Sequence, residues 1–191
     1  MKTTSTHPVR GRAKTVLLLV DVINTFDFPE ARQLLRFALP AAEKIAALKA
    51  RSRKRGIPAI YINDNFGKWR SDFKRQVEHC ISEECLGAEI ARQLIPHEDD
   101  YFVLKPKHSG FYSTSLDVLL HYLGVKRLII VGFATDICIL FTANDAYMRD
   151  YEVVIPSDCV AAESASANQR ILKHMERFLK ADIRNSSRLR I

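Results

Sequence analysis

Three residues of this 191-residue chain combine types and positions that could do covalent chemistry: Asp21, Lys105 and Cys138. A thiolate is a nucleophile, a carboxylate can take up and return a proton, and an ammonium between them favours both ionised forms. Each follows an apolar run. Asp21 closes Lys14-Thr-Val-Leu-Leu-Leu-Val, Lys105 closes Tyr101-Phe-Val-Leu104, and Arg127-Leu-Ile-Ile-Val131 leads through Gly132-Phe-Ala-Thr-Asp-Ile to Cys138. Thr135 is a suitable helix N-cap, which sets Cys138 in a first helical turn. Unpaired backbone N–H groups and the helix dipole there favour an anion, lower a thiol's pKa and could hold an oxyanion. Taken singly, each residue also has a plainer reading: a cysteine packed under a helix, an aspartate capping a turn, a lysine on the surface. Their joint placement weighs more than any one of them. Cys80, Cys85 and Cys159 lack such context and read as small apolar groups.

The elements that must position these residues follow from periodicity and punctuation. A helix is expected from about Pro40 to Arg55, stopped by Gly56, and a strand over Ala59–Ile62. A polar, aromatic loop follows over Asn63–Trp69, then an irregular stretch with a short helix between Asp72 and Leu94. Tyr101–Leu104 reads as a strand, 105–114 as a loop, Ser115–Leu123 as a helix ended by Gly124, and Arg127–Val131 as a strand. Helices are expected over Thr135–Arg149 and Ser164–Leu179, and strands over Glu152–Ile155 and, briefly, Ala181–Ile183.

Strands alternating with helices predict an α/β, single-domain, doubly wound and mostly parallel sheet with helices on both faces, a Rossmann-like architecture. Ligands of such sheets bind outside the carboxyl ends of the strands, where Asp21, Lys105 and Cys138 all fall. The domain is expected over 14–185, with a flexible basic N-terminal arm over 1–13 and a C-terminal tail over 186–191. Phe26, Phe28, Phe66, Trp69 and Phe111 lie on strand-end loops and could line an apolar pocket or pack beneath the loops. Asn65 and Lys68 could orient polar groups of a substrate.

With 47% hydrophobic and 27% charged residues, the composition is that of a soluble globular domain. No apolar run is long enough to span a bilayer, and Met1–Lys14 lacks the apolar centre of a secretory signal, so a cytoplasmic protein and no membrane partner are expected. The four cysteines match no zinc ribbon or Cys-x-x-Cys pair and are expected to be free thiols. The net charge of +7 concentrates in the N-terminal arm, Arg51–Arg55 and Arg184–Arg190. No aromatic residues interleave these basic clusters as a nucleic-acid surface would require, so they read as solvated ends and no nucleic-acid partner is expected.

Three segments resemble the isochorismatase-like superfamily of cysteine hydrolases, over about Thr15 to Asp182. They are Leu17-Leu-Leu-Val-Asp21-Val-Ile-Asn24-Thr-Phe26, Lys105-Pro-Lys-His-Ser109-Gly-Phe111-Tyr-Ser-Thr114, and Gly132-Phe-Ala-Thr135-Asp136-Ile-Cys138-Ile with Thr142-Ala143-x-Asp145-Ala146. The resemblance implies a catalytic triad of Asp21, Lys105 and Cys138. It also implies a non-proline cis peptide at Phe133–Ala134, with the N–H groups of Ala134 and Cys138 turned toward an oxyanion. Asn24 and Thr135, inside these segments, join the candidate substrate-binding residues. A homodimer or homotetramer is implied by the resemblance alone.

Departures from the family refine the expectation. Its nicotinamidases carry an Asp-x-His pair and a further His for a metal after the second strand. Here Asp64 matches and no histidine follows until His79, so no metal and no cofactor is expected. Isochorismatases cleave a vinyl ether without needing a thiol, so Cys138 favours acyl transfer. Gly110, in place of the family's alanine, is expected to widen the pocket or loosen its loop. The resulting expectation is a cysteine-dependent hydrolase acting on a C–N amide or carbamoyl bond of a small molecule. The alternatives are a vinyl-ether hydrolase that uses Asp21 alone and a non-catalytic binding module. A thiol redox protein is disfavoured, because no second cysteine lies near Cys138 in sequence.

Overall fold

The computed structural model describes residues 13–65, 72–82 and 85–191. Strand β1 (Thr15–Val20) is buried at every residue after the first, because it has parallel neighbours on both sides and helices on both faces. Those neighbours are β2 (Ala59–Asp64) and β4 (Arg127–Phe133). β3 (Tyr101–Lys105) lies outside β2 and β5 (Glu152–Val154) outside β4, giving the order β3-β2-β1-β4-β5. A two-residue strand that periodicity could not reveal, β6 (Val160–Ala161), pairs with the end of β4. Where a last strand was expected, a single bridge joins Val154 to Asp182.

Helix α1 (Ala31–Lys54) starts well before the expected Pro40, which lies inside it. Proline lacks an N–H and is favoured at helix starts, which made it look like an initiator. The burial of Leu34, Ala38, Ala41, Ile45 and Leu48 on one face carries the helix through it. The stretch expected to be irregular holds two short helices, α2 (Phe73–Cys80), capped by the Asp72 side chain on the Arg75 N–H at 2.8 Å, and α3 (Ala88–Gln93). These three helices cover one sheet face, with Leu17, Leu19, Tyr61 and Val131 beneath them. On the other face α4 (Leu116–Leu123), α5 (Leu140–Tyr147) and α6 (Ala165–Leu179) cover Val16, Leu18, Ile62 and Ile130. Among the described residues no helix is long and apolar enough to cross a membrane.

The last six residues, expected as a tail, are docked. Asp158 accepts hydrogen bonds from the Ser186 N–H at 2.7 Å and hydroxyl at 2.8 Å, Arg51 donates to the Ser186 carbonyl at 2.6 Å, and Leu189 is buried.

The chain winds outward from β1 to β3, then returns to β4 on the other side of β1, so the topological switch point lies between β1 and β4. Gly132 shapes this junction. Its φ is +123°, a conformation strained for any side chain, and a Cβ would lie 2.0 Å from the Val20 carbonyl oxygen. Gly132→Ala is therefore expected to cost about 2–4 kcal/mol of stability through strain and overpacking, read as a lower urea midpoint; an unchanged midpoint would contradict this packing.

Candidate active site

Asp21 stands one residue past β1, still on the sheet's ladder: its N–H donates to the Ile62 carbonyl at 2.8 Å, and its Oδ1 accepts the Asp64 N–H at 2.8 Å. It adopts a left-handed φ of 52°, which aspartate tolerates better than most residues. Lys105 ends β3, two strands from β1 and so roughly 10 Å across the sheet, a gap its long side chain must lean over β2 to close. Its Nζ lies 2.9 Å from Asp21 Oδ2, 3.7 Å from Asp64 Oδ2 and 3.6 Å from Cys138 Sγ. The surface reading of Lys105 is wrong, since the side chain is 0% exposed. Burial pulls the Lys105 ammonium toward neutrality, but Asp21 first, then Cys138 and Asp64, hold its pKa above the ordinary 10.5.

The Phe133–Ala134 peptide is cis. Beyond it the chain enters a π-helical turn, Thr135–Ile139, in which the Ile139 N–H reaches back five residues to the Ala134 carbonyl at 3.1 Å. This corrects two expectations. Thr135 is not the N-cap; Ala134 holds that position with no side-chain cap, and the buried Thr135 hydroxyl instead donates to Asn168 Oδ1 of α6 at 2.6 Å. The Cys138 thiol is also not acidified by its position. Burial first, then the carboxylate of Asp21, push its pKa well above 9.0, and Lys105 only partly opposes them. Cys138 as a residue is half-buried. Cys80 and Cys159 are fully buried, and burial pushes the Cys159 thiol up to about 12.

The candidate substrate-binding residues divide. Phe26 and Phe111 are core residues, 1% and 6% exposed, so the packing reading applies to them. Phe26 lies 6.0 Å from the ring of Phe28 and 6.2 Å from that of Phe133, while Phe111 lies under the Arg149 guanidinium. Phe28 is 39% exposed. Asn24 turns its own loop, its Oδ1 accepting the Phe26 N–H at 2.8 Å. Asn65 donates its N–H to the Lys105 carbonyl at 3.0 Å, extending the β2–β3 ladder. Phe66, Lys68 and Trp69 lie outside the described residues.

Asp64 was expected only as the remnant of a metal pair. Its carboxylate lies against the Lys105 ammonium instead, and among the described residues no group of three His, Cys, Asp or Glu is placed to hold a metal ion. The same strand-end rule that marked Asp21 would have found Asp64 at the end of β2. Gly110 does not loosen its loop. An added Cβ would meet Ile62 Cγ2 at 2.9 Å, and its N–H donates to the buried Thr142 hydroxyl at 3.0 Å, so the small residue lets the loop pack tightly on β2. Asn63 and Gln76 also escaped notice; their side-chain amides donate to the Ile23 carbonyl at 2.8 and 3.3 Å, tying the loop after Asp21 to β2 and α2.

With this fold and this juxtaposition, the chain belongs to the isochorismatase family, whose Isochorismatase domain model matches residues 15–182. It is 43% identical over 173 residues to YaaI, an uncharacterized isochorismatase family protein of Bacillus subtilis, across 91% of this chain and 94% of that one. It is 26% identical over 193 residues to the ureidoacrylate amidohydrolase RutB of Methylorubrum extorquens, across 86% and 77% of the two chains. The crystal structure of N-carbamoylsarcosine amidase from Thermoplasma acidophilum matches with a TM-score of 0.70 and 25% identity, across 93% of this chain and 99% of that one.

The raised thiol pKa values set an alkaline limit on stability. A thiol that holds its proton more tightly folded than unfolded has no effect at low pH and destabilises the fold as pH rises from the unfolded value toward the folded one. Unfolding free energy is expected to fall from pH 9.0 upward through Cys138 and Cys159, with Lys105 adding to the loss only above 10.5. Cys138→Ala should flatten part of the decline just above pH 9.0, measured by urea unfolding at stepped pH; an identical slope would contradict the placement of the thiol.

Proposed function

We propose that this chain is a cysteine-dependent hydrolase that cleaves a C–N amide or carbamoyl bond of a small molecule through a thioester on Cys138. The observation that carries this reading is the Lys105 ammonium, 2.9 Å from the Asp21 carboxylate and 3.6 Å from the sulfur of half-buried Cys138 at the carboxyl edge of the sheet. Two of the relatives, an amidohydrolase and a carbamoyl amidase, act on bonds of this class by their names, which supports the reading.

At rest the thiol is protonated, with Asp21 as its hydrogen-bonding and charged neighbour. Asp21 takes the thiol proton as the sulfur attacks the carbonyl carbon, forming the C–S bond and a tetrahedral oxyanion. The backbone N–H groups of Ala134 and Cys138 are assigned to that oxyanion. Lys105 stays protonated and steadies the thiolate while Asp21 is neutral, with Asp64 as its second carboxylate. Asp21 then protonates the leaving nitrogen as the C–N bond breaks. Water gives a proton to Asp21 and attacks the thioester; the C–S bond breaks, the acid departs, and Asp21 returns the proton to sulfur.

The test is turnover of a panel of primary amides and N-carbamoyl compounds, read as amine or ammonia release. Cys138→Ala and Asp21→Asn are each expected to lower kcat on the order of 10³-fold or more. Hydrolysis retained in Cys138→Ala would overturn the nucleophile and leave chemistry run by Asp21 alone.

A further inference from the structure

The proposed chemistry leaves part of the sequence motifs unused: Ser109-Gly110 after Lys105, and Thr142 and Asp145, four and seven residues beyond Cys138. The structure joins these two segments. The buried Gly110 N–H donates to Thr142 Oγ1 at 3.0 Å. The Ser109 hydroxyl donates to Asp145 Oδ2 and accepts the Phe111 N–H at 3.1 Å. Arg149 donates to Asp145 Oδ1 at 3.0 Å, balancing its charge, and lies 3.7 Å from Asp117 Oδ1 on α4. Its guanidinium also covers the Phe111 ring at 4.7 Å.

The consequence is mechanical. Lys105 sits on a flexible four-carbon stem at the end of β3, and Cys138 sits in a turn at the end of β4, two strands beyond β2. No ladder hydrogen bond links those two chain segments to each other. The loop that follows Lys105 is fastened instead to the helix that follows Cys138, at one point through Thr142 and at a second through Asp145. A charge-assisted hydrogen bond is the stronger kind, and its serine is only 6% exposed.

We infer that Ser109 and Asp145 are positioning residues, whose hydrogen bond holds the Lys105 loop against α5 and so sets the approach of the Lys105 ammonium to the Cys138 sulfur. The inference rests on the reading that Lys105 and Cys138 act together. Neither Ser109 nor Asp145 touches the reacting atoms; both act through Lys105.

The experiment needs no substrate. Alkylation of Cys138 by iodoacetamide, resolved by peptide mass spectrometry, is followed against pH in the intact chain and in Ser109→Ala, Asp145→Asn, the double variant and Lys105→Met. Ser109→Ala removes the hydrogen bond and Asp145→Asn only its charge assistance, so the ammonium withdraws from the sulfur further in the first. Ser109→Ala is expected to move the Cys138 profile about one unit to higher pH, a roughly tenfold slower reaction on the rising limb, and Asp145→Asn to move it in the same direction by less. The double variant should move it no further than the stronger single one, and Cys85 should react unchanged. Asp145→Asn keeps the side chain's size and so guards against a folding failure in Ser109→Ala. If Lys105→Met shifts the profile while the clamp variants match the unaltered chain, the inference falls and the pairing of Lys105 with Cys138 stands. If Lys105→Met also leaves the profile unmoved, that pairing fails and the inference with it.

Discussion

A fully buried ammonium is the constraint around which this molecule is arranged. Removing a lysine charge from water costs several kcal/mol unless partners compensate, and removing one partner of a buried pair is worse than never having had it. Lys105 finds a carboxylate at the end of each of the next two strands of the sheet: Asp64 on adjacent β2 and Asp21 just past β1, beyond it. Both can reach it because the three strands run parallel and end at nearly the same level. The left-handed turn of Asp21 and the Asp64 N–H on its Oδ1 fix the closer carboxylate. The fold thus assembles charge at the one edge of the sheet where a parallel architecture leaves room for a ligand.

The thiol enters this cluster as a neutral group. Burial and the neighbouring carboxylate keep it protonated, and the ammonium alone does not reverse that. A carboxylate beside a protonated thiol is arranged to move a proton on demand, so no thiolate need stand ready in the free protein. In the proposed chemistry, reactivity depends on keeping the ammonium close to the sulfur once the proton has moved. The inferred role of the fastening between the Lys105 loop and α5 is to meet that need.

Much of this was legible in the sequence. Asp21, Lys105 and Cys138 each sit where an apolar run stops, and the rule that parallel sheets bind ligands at strand ends joins them from sequence alone. What stayed hidden has identifiable causes. Pro40 reads as a helix start because local propensity does not register the buried face that carries α1 through it. Thr135 has the chemistry of a cap, but a hydrogen bond to Asn168, 33 residues away, claims its hydroxyl. Phe26 and Phe111 looked like pocket walls, yet aromatic rings on strand-end loops serve the core equally well, and burial alone decides. The pairing of Ser109 with Asp145 joins positions 36 residues apart and leaves no local periodic signal.

The proposed chemistry stands or falls on a covalent bond to one sulfur. An amide or N-carbamoyl compound that the chain turns over, mixed with it and quenched in acid within a few turnovers, should leave the acyl or carbamoyl mass on the peptide that holds Cys138. The mass should be absent from the peptides of Cys80, Cys85 and Cys159. Steady turnover with Cys138 unmodified at every quench time would contradict the thioester and with it the role assigned to the buried ammonium.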